Sequence, residues 1–322
     1  MTDQLVPATG SYLEQILRES FPLWADGLSY EAYVRFWEAQ RRTAWGAAHL
    51  DRVALIEQGS VTSSAKRYDL GARIDGRIRR VLGIGAVFTS PERRGRGGAR
   101  RLIAMMLEAA EAEGYEYAML FSEIDPAFYE ALDFVPIPLL ESRLEVTRVG
   151  GAPAVLMRAG DERDLPAIVE MSGTRARGAR FALDRTEDLI KFGLTKRRLL
   201  SGLGPAGLRE TEFLVTEEGH QAVAYVISTI HERRWFIEEA GDRDPTGARL
   251  GAMLQVMLAR TPNRSAPEID AWLPPGFVPP QIAGVATTAT SAVLMIRPLL
   301  DRALPLPPLE ASQVVYWRTD YF

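Results

Sequence analysis

Apolar residues recur at helical spacing near the start of the chain and then give way to short apolar runs typical of strands. Four of them define one face of a predicted helix over residues 11–21: Tyr12, Ile16, Leu17 and Phe21. A second helix is predicted over 30–42, with Ser29 as its N-cap. Two strands, 52–58 and 61–68, follow it, and the Gly-Ser pair between them predicts a hairpin.

The pattern changes most sharply between residues 83 and 103. An apolar run over 83–89 predicts a strand, Ser90-Pro91 ends it, and a basic glycine-rich turn then leads into an amphipathic helix. The first amides of a helix have no internal partner and attract anions. Glycines let a phosphate approach the backbone closely, and arginine matches phosphate geometry. This turn carries five arginines: Arg93, Arg94, Arg96, Arg100 and Arg101.

Other interpretations of this turn are weaker. The glycines fit a simple tight turn, and the arginines fit a solvated start of a helix. A dinucleotide site requires Gly-x-Gly-x-x-Gly directly after the strand, but Arg100 stands where the last glycine belongs. A Walker loop requires Gly-Lys-Ser/Thr, which the sequence lacks.

The second half of the chain repeats this order of elements. We predict helices over 161–173, 185–200 and 246–259, with strands between the last two and a final strand over 292–298. Its equivalent junction, residues 237–247, carries four acidic residues and lacks an Arg-x-x-Gly-x-Gly/Ala pattern. Because acidic groups repel a pyrophosphate, this copy is predicted not to bind one. An active second site with a different signature is the alternative.

Composition excludes several classes of function. The chain has 322 residues and a net charge of −4, which argues against a general nucleic-acid or membrane-surface role. It has no cysteine, and its three histidines are scattered, so no metal site is expected: His49, His220 and His231. No signal peptide and no apolar run of about 18 residues is visible. A cytoplasmic protein is expected, and the arginine-rich, lysine-poor composition is typical of a GC-rich bacterial genome.

The pattern Arg94-x-x-Gly97-x-Ala99 after a strand resembles the acetyl-CoA signature of the GCN5-related N-acetyltransferase (GNAT) family. A second strand over 115–122 follows, and then Pro126–Phe134, which is similar to that family's Phe-Tyr-x-x-Leu-Gly-Phe segment. Asp133 departs from the family by replacing its glycine, a helix-ending position where aspartate tolerates the left-handed backbone better than most residues. The resemblance implies two tandem GNAT-like α/β domains with mixed sheets, the second without the coenzyme signature.

The resemblance also implies roles for particular residues. Tyr129 matches the family's general acid. A β-bulge in the 87–89 strand and the amides of the turn are expected to bind acetyl-CoA, without any metal. The expected coenzyme-binding residues are Val87, Phe88, Thr89, Arg94, Gly95, Arg96, Gly97, Gly98, Ala99 and Arg100.

The acceptor and the base are less well specified. The first two helices wall the acceptor cleft in GNAT proteins, which makes Trp24, Asp26 and Tyr33 candidates, although each aromatic also fits a core position. Three groups are candidate bases: Glu123, Asp125 and the C-terminal carboxylate of Phe322. The third candidate is implied by a resemblance to the mycobacterial enhanced-intracellular-survival acetyltransferases, tandem enzymes that place their C-terminal carboxylate in the N-terminal site. A partial resemblance to fungal lysine acetyltransferases favours a primary amine as the acceptor.

The expected function is acetyl-CoA-dependent N-acetylation of a small-molecule or peptide amine by direct transfer. The alternative is a CoA-binding regulatory protein without turnover, and a homo-oligomer is an open expectation. The expected domains are a catalytic domain over 1–150, a degenerate copy over 151–304, and a tail over 305–322 that docks on the first domain.

Overall fold

In the computed structural model, a hairpin of two long strands, β3 (Ser60–Ile74) and β4 (Arg77–Thr89), lies at the centre of the N-terminal sheet. The structure describes residues 3–147, 151–260, 267–300 and 308–322. The hairpin turn at Asp75 and Gly76 has positive φ at both residues, as a tight two-residue turn requires. The polar residues on either side of this turn, within 73–80, therefore belong to the ends of β3 and β4.

The first compact unit comprises Met1–Ile137, Ser291–Leu309 and Phe322. Its sheet runs in the order β1-β2-β3-β4-β5-β15-β6, and β4 and β5 are its parallel pair. The remaining strands are β1 (Gln4–Pro7), β2 (Leu50–Glu57), β5 (Tyr117–Ser122), β6 (Val135–Ile137) and β15 (Val293–Pro298). The helices are α1 (Gly10–Trp24), α2 (Tyr30–Arg42), α3 (Ala44–His49), α4 (Gly98–Ala112) and α5 (Ala127–Glu130).

The two faces of this sheet bury different helices. Leu82 and Ile84 of β4 pack in one core cluster with the apolar stripe of α4, including Leu102 and Met106. Helix α1 packs on the opposite face, where Ile16 joins a cluster that includes alanine and isoleucine from β2. Because side chains alternate along a strand, neighbouring residues of β2, β3 and β4 face either α4 or the α1–α2 layer.

The second unit comprises Pro138–Thr290 and Glu310–Tyr321. Its sheet runs β14-β7-β13-β12-β11-β10-β8, with β12 and β13 parallel. These strands are β7 (Leu140–Val146), β8 (Met157–Ala159), β10 (Glu210–Glu218), β11 (Gln221–His231), β12 (Arg234–Asp242), β13 (Glu268–Ala271) and β14 (Ile282–Ala289). A short parallel pair joins β9 (Phe181–Leu183) and β16 (Val314–Val315). The helices are α6 (Leu165–Ala176), α7 (Glu187–Leu203) and α8 (Ala248–Ala259).

The compact units divide the chain differently from the expected domains. Strand β7, which precedes residue 150, pairs with β13 and β14 in the second sheet, and β15 pairs with β5 and β6 in the first. Of the expected tail, residues 310–321 belong to the second unit and Phe322 to the first. The partners of a strand are distant in sequence, so composition alone did not predict which sheet contains β7 and which contains β15. The expected boundaries at 150 and 304 lie outside the described residues.

Among the residues that the structure describes, no helix is both long enough and apolar enough to cross a membrane.

Candidate active site

Strand β4 contains a β-bulge near its C-terminal end. Its pairing with β3 shifts register between the Lys66–Gly85 pair and the Ser64–Phe88 pair, and Ala86 between them adopts a φ of +47°. An extra residue in one strand leaves the hydrogen-bonded ladder at that point. Backbone groups at this end of β4 are therefore available to a ligand.

The same end of β4 also separates from its parallel neighbour β5. The pairing of the two strands ends at Ile84 and Leu120, although the strands themselves continue to Thr89 and Ser122. Beyond that pair, the β5 side of β4 presents backbone groups that the two-strand ladder does not use. An extended ligand can bind such an edge as an additional strand does.

After β4 the chain forms the predicted glycine-rich turn. Gly95 and Gly97 both have a φ of +75°, which only glycine adopts without strain. Gly97 caps α4 without a side-chain hydrogen bond, so no side chain occupies the first amides of the helix. Gly98 is buried, and a Cβ on it would lie 2.7 Å from the Ser63 Oγ. The turn therefore has the geometry of an anion-binding helix N-terminus.

The arginines of this turn have two different environments. Arg101 is engaged structurally, since it pairs with two carboxylates, Asp3 and Glu57. Arg94, Arg96 and Arg100 are exposed, and no carboxylate of the described chain pairs with them. Arg94 and Arg100 instead donate to main-chain carbonyls, which orients them on the turn. These three cations remain able to meet an anionic ligand.

Tyr129 lies on α5 within the core cluster that also receives Val87 from the bulged end of β4. Its side chain is 6% exposed, and its ring centroid lies 4.9 Å from Phe128 and 6.1 Å from Phe134. Burial, and secondarily the charge of Glu123, raise the pKa of Tyr129 to about 12. The hydroxyl is therefore protonated at neutral pH and can donate a hydrogen bond.

Asp133 takes the backbone conformation that its glycine-like position requires. Its φ is +63°, as a left-handed residue at the end of a helix has. Arg297 of β15 lies nearby, with its guanidinium 3.7 Å from the Asp133 carboxylate and a 2.8 Å bond to the Leu132 carbonyl. The replacement of glycine thus leaves the local geometry intact.

Comparison with known families identifies this arrangement. Residues 11–137 match the model of the acetyltransferase (GNAT) domain. This part of the chain is a GNAT domain. The match and the fold support an acyl-CoA-dependent acetyltransferase. No curated protein sequence matches the chain significantly.

Solved structures extend the similarity over the whole chain. A GCN5-related N-acetyltransferase from Kribbella flavida is 18% identical with a TM-score of 0.68, covering 92% of this chain and 71% of that one. Eis1 from Mycobacterium abscessus is 13% identical with a TM-score of 0.55, covering 92% and 74%. A tandem GNAT protein from the clavulanic acid pathway is 15% identical with a TM-score of 0.55, covering 92% and 99%. At these identities the similarity shows the fold, and the predicted tandem GNAT architecture is confirmed.

The candidate acceptor residues of the GNAT domain do not form one cluster. The Trp24 ring packs edge-on against Phe88 beside the bulge, at a centroid distance of 6.0 Å. Tyr33 is buried, and its hydroxyl is 3.1 Å from the Ser20 Oγ, as expected of a core tyrosine. Asp26 is exposed in the turn after α1, with a φ of +47°. Trp24 therefore contacts β4 through Phe88.

Phe322 packs on β4 just before the bulge. Its ring centroid is 4.8 Å from that of Tyr68 and 5.6 Å from that of Phe121. Gly83 and Gly85 make room for it, since a Cβ on Gly85 would lie 3.4 Å from the Phe322 carboxyl carbon. The carboxyl group of Phe322 is thus close to the strand that carries the bulge.

In the second unit, the amides at the equivalent helix start already have a carboxylate partner. Gly247 again caps a helix, α8, with a left-handed backbone. Here, however, the Asp242 carboxylate accepts hydrogen bonds from the amides of Arg249 and Leu250, at 2.9 and 3.1 Å. A Cβ on Gly247 would also lie 2.7 Å from the Phe277 ring. The second unit thus supplies its own carboxylate where the GNAT domain leaves amides open, in keeping with its lack of the coenzyme signature.

Two cations of the GNAT domain, Arg52 on β2 and Lys66 on β3, are not among the predicted site residues. Both lie on the sheet face that α2 covers, in contact with the Trp37 ring. Strand alternation could have placed them on an inward face. Three or more histidine or carboxylate groups that could hold a metal do not come together anywhere in the described ranges.

Proposed function

We propose that the protein is an acetyl-CoA-dependent N-acetyltransferase that acetylates a primary amine of a small molecule or peptide. The observation that carries this proposal is the coincidence of three features at one end of β4. They are the bulge at Ala86, the separation from β5 after Ile84, and the uncapped helix start at Gly98. Together they offer an extended backbone edge that leads to an anion-binding turn.

The coenzyme is proposed to bind along this path. The amides between Arg94 and Ala99 would hold the pyrophosphate, with the three exposed arginines adding charge. Backbone groups of Val87 and Thr89 would hold the pantetheine arm and polarise the thioester carbonyl. Phe88 is buried against Trp24 and would support that edge from behind.

The reaction is proposed to be a direct transfer. The neutral amine attacks the thioester carbon, the new C–N bond forms, and the C–S bond breaks to release CoA. Tyr129 gives its proton to the departing sulfur, so that CoA leaves as the thiol, and a base takes the proton that the amine loses. That proton returns to Tyr129 through solvent and completes the cycle. The raised pKa keeps Tyr129 protonated for this role.

Two carboxyl groups are proposed as the base. Glu123 follows β5 and is exposed, and its charge reaches Tyr129. The carboxyl group of Phe322 lies beside Gly85. We expect Glu123→Gln to lower the pKa of Tyr129 from about 12, because one of its two causes is removed. The alkaline limb of kcat measures this shift. A kcat that also falls more than about tenfold assigns the base to Glu123, whereas an unchanged kcat favours Phe322.

The direct test is thiol release from acetyl-CoA over a panel of primary amines, with N-acetylated product identified by mass spectrometry. Amine-dependent release supports the proposal. Tight CoA binding without release for any amine, and without an effect of Tyr129→Phe, would instead indicate a regulatory protein that binds CoA.

The glycine cap allows a sharper test of the coenzyme site. Gly97→Ala forces an L-residue into a left-handed backbone, at a cost of about 1–2 kcal/mol, and displaces the turn amides. We expect about tenfold weaker acetyl-CoA binding by calorimetry. Gly114→Ala is the matched control, because Gly114 has a φ of +82° at the far end of α4 with nothing within 4 Å. Equal affinities in the two variants would contradict the proposed site.

A further inference from the structure

Arg52 and Lys66 are two interior cations of the GNAT domain that form no ion pair with any residue in the part of the chain that the structure describes. The Arg52 side chain is 4% exposed, and its Nε and Nη1 have no hydrogen-bond partner. Lys66 is partly buried, and no carboxylate of the described chain pairs with either residue. Unpaired charges of this kind are costly to bury, and natural interiors normally pair them.

The surroundings reduce this cost but do not remove it. The Arg52 guanidinium and the Lys66 ammonium lie 5.1 and 5.6 Å from the centroid of the same Trp37 ring. Tyr33 also offers Arg52 a hydrogen bond, yet burial still lowers the pKa of Arg52. Burial, and then the charge of Arg52, lower the pKa of Lys66 to about 7. The fold thus holds two mutually repelling cations together.

These cations are aligned with the bulge. Arg52 is the cross-strand partner of Lys66, and Lys66 is the cross-strand partner of Gly85, which directly precedes Ala86. The three residues form one row across β2, β3 and β4, with neighbouring strands about 5 Å apart. Gly85 contributes no side chain to this row, and Tyr68 and Phe322 occupy the space beside it. The backbone positions of Lys66 and Arg52 therefore lie roughly 5 and 10 Å from Gly85 along this row.

We propose that Arg52 and Lys66 bind a carboxylate of the acceptor, so that the substrates are amines that also carry a carboxylate group. This inference rests on the proposed N-acetyltransferase activity. The guanidinium offers paired donors that match a carboxylate, and Lys66 is the more exposed of the two cations. Tyr33, Trp37 and Tyr68 are buried on this sheet face, and their apolar surface favours an acceptor that is apolar between its amine and its carboxylate.

The test compares ω-amino acids of three to six carbons with their matched amides as acceptors. We expect the wild type to prefer the best carboxylate over its amide by about 10- to 100-fold in kcat/KM, the size of a charge-assisted contact. Arg52→Met and Lys66→Met should each lower kcat/KM for the carboxylate far more than kcat/KM for the amide, and so remove most of this preference. No preference in the wild type, or the same preference in both variants, overturns the proposal.

Arg67→Met is the matched control. Arg67 neighbours Lys66 on β3 but pairs with Glu113 and Tyr115 on the opposite face. This variant should lose thermal stability and keep the preference. Arg52→Met and Lys66→Met should instead raise the melting temperature, because each removes an unpaired buried charge. Lower stability together with an intact preference would show that the two cations are structural. Where a methionine variant does not fold, Arg52→Gln and Lys66→Gln remove the same charges and should give the same loss of preference.

Binding without turnover separates this inference from the proposed function. We expect 6-acetamidohexanoate, an acetylated product of the series, to raise the melting temperature of the wild type more than 6-acetamidohexanamide does. In Arg52→Met the two compounds should raise the melting temperature equally. A failure of acetyl-CoA to bind would end the proposed function and leave this measurement intact. Equal stabilisation by the two compounds would overturn the carboxylate site alone.

The pH dependence gives an independent check. Arg52, Tyr33, Tyr68 and the Phe322 carboxyl group are the ionisable groups that share this sheet face with Lys66. The wild-type preference for the carboxylate should fall as the pH rises above about 7, where free Lys66 loses its charge. The ratio to the amide cancels the titration of the attacking amine. A preference that is constant from pH 6 to 9 would contradict a contact with Lys66.

Discussion

Replacing Tyr129 by phenylalanine is expected to lower kcat by about 100-fold while the KM for acetyl-CoA stays within about twofold. General acids typically contribute factors of 10²–10⁴, and the hydroxyl would contact the sulfur only as the C–S bond breaks. The ring itself is retained in its aromatic cluster with Phe128 and Phe134. Steady-state kinetics with thiol detection measures both parameters.

The matched control is Tyr115→Phe. Tyr115 is as deeply buried, but its hydroxyl bonds to Arg67 and Arg80 at 3.2 and 3.1 Å. We expect this variant to lose about 1 kcal/mol of stability and no activity. If Tyr129→Phe retained full kcat, the role of general acid would have to be given to another group or to solvent.

Replacing Arg185 by methionine is expected to lower the free energy of unfolding of the second unit by about 3–5 kcal/mol. The Arg185 guanidinium donates two 2.6 Å bonds to Glu239, and its Nε lies 3.0 Å from Asp320. Both carboxylates are almost completely buried, at 0% and 1% exposure. Without Arg185, Glu239 would keep the hydroxyl donors of Tyr225 and Thr319, and Asp320 would keep the favourable charge of Lys196.

The free energy of unfolding that Arg185→Met loses should depend on pH. Burial already raises the pKa of Asp320 to about 6, against the opposing charge of Arg185. In the variant that opposing charge is lost, so the carboxylates hold protons in the folded state that they release on unfolding. The free energy of unfolding of the variant is therefore greatest at low pH, and it falls as the pH rises and the two buried carboxyl groups must ionise. The difference from wild type should be smaller at pH 5 than at pH 8.

Urea denaturation at both pH values measures this difference. Arg243→Met is the control, because Arg243 and Glu170 form an exposed ion pair at 2.8 Å that should contribute about 0–1 kcal/mol. A loss of stability in Arg185→Met no larger than in this control would mean that the buried carboxylates are tolerated without their cation.

Features that depend on neighbouring residues were predictable. The helix over 30–42 has the predicted limits, because Ser29 accepts a hydrogen bond from the Ala32 amide at its start. The turn before α4 carries its positive-φ glycines where the motif placed them. Asp133 adopts the left-handed backbone for the same local reason. In each case the controlling contacts lie within a few residues.

Sequence alone could not find the partners of strands or of buried charges. The pattern of 292–298 predicts a strand equally well in either sheet, and contacts with β5 and β6 decide that it belongs to the first. Arg52 and Lys66 could be placed on an inward face, but their lack of a carboxylate partner becomes visible only in three dimensions.

The sequence by itself determined the repeated order of helices and strands, the glycine-rich helix start and the tyrosine after β5. The tertiary structure decided which strands complete each sheet, that Tyr33 faces Ser20, and that Phe322 packs on β4. The reason is physical. Backbone conformation follows from the residue and its neighbours, whereas pairing and burial depend on groups that only the folded chain brings together.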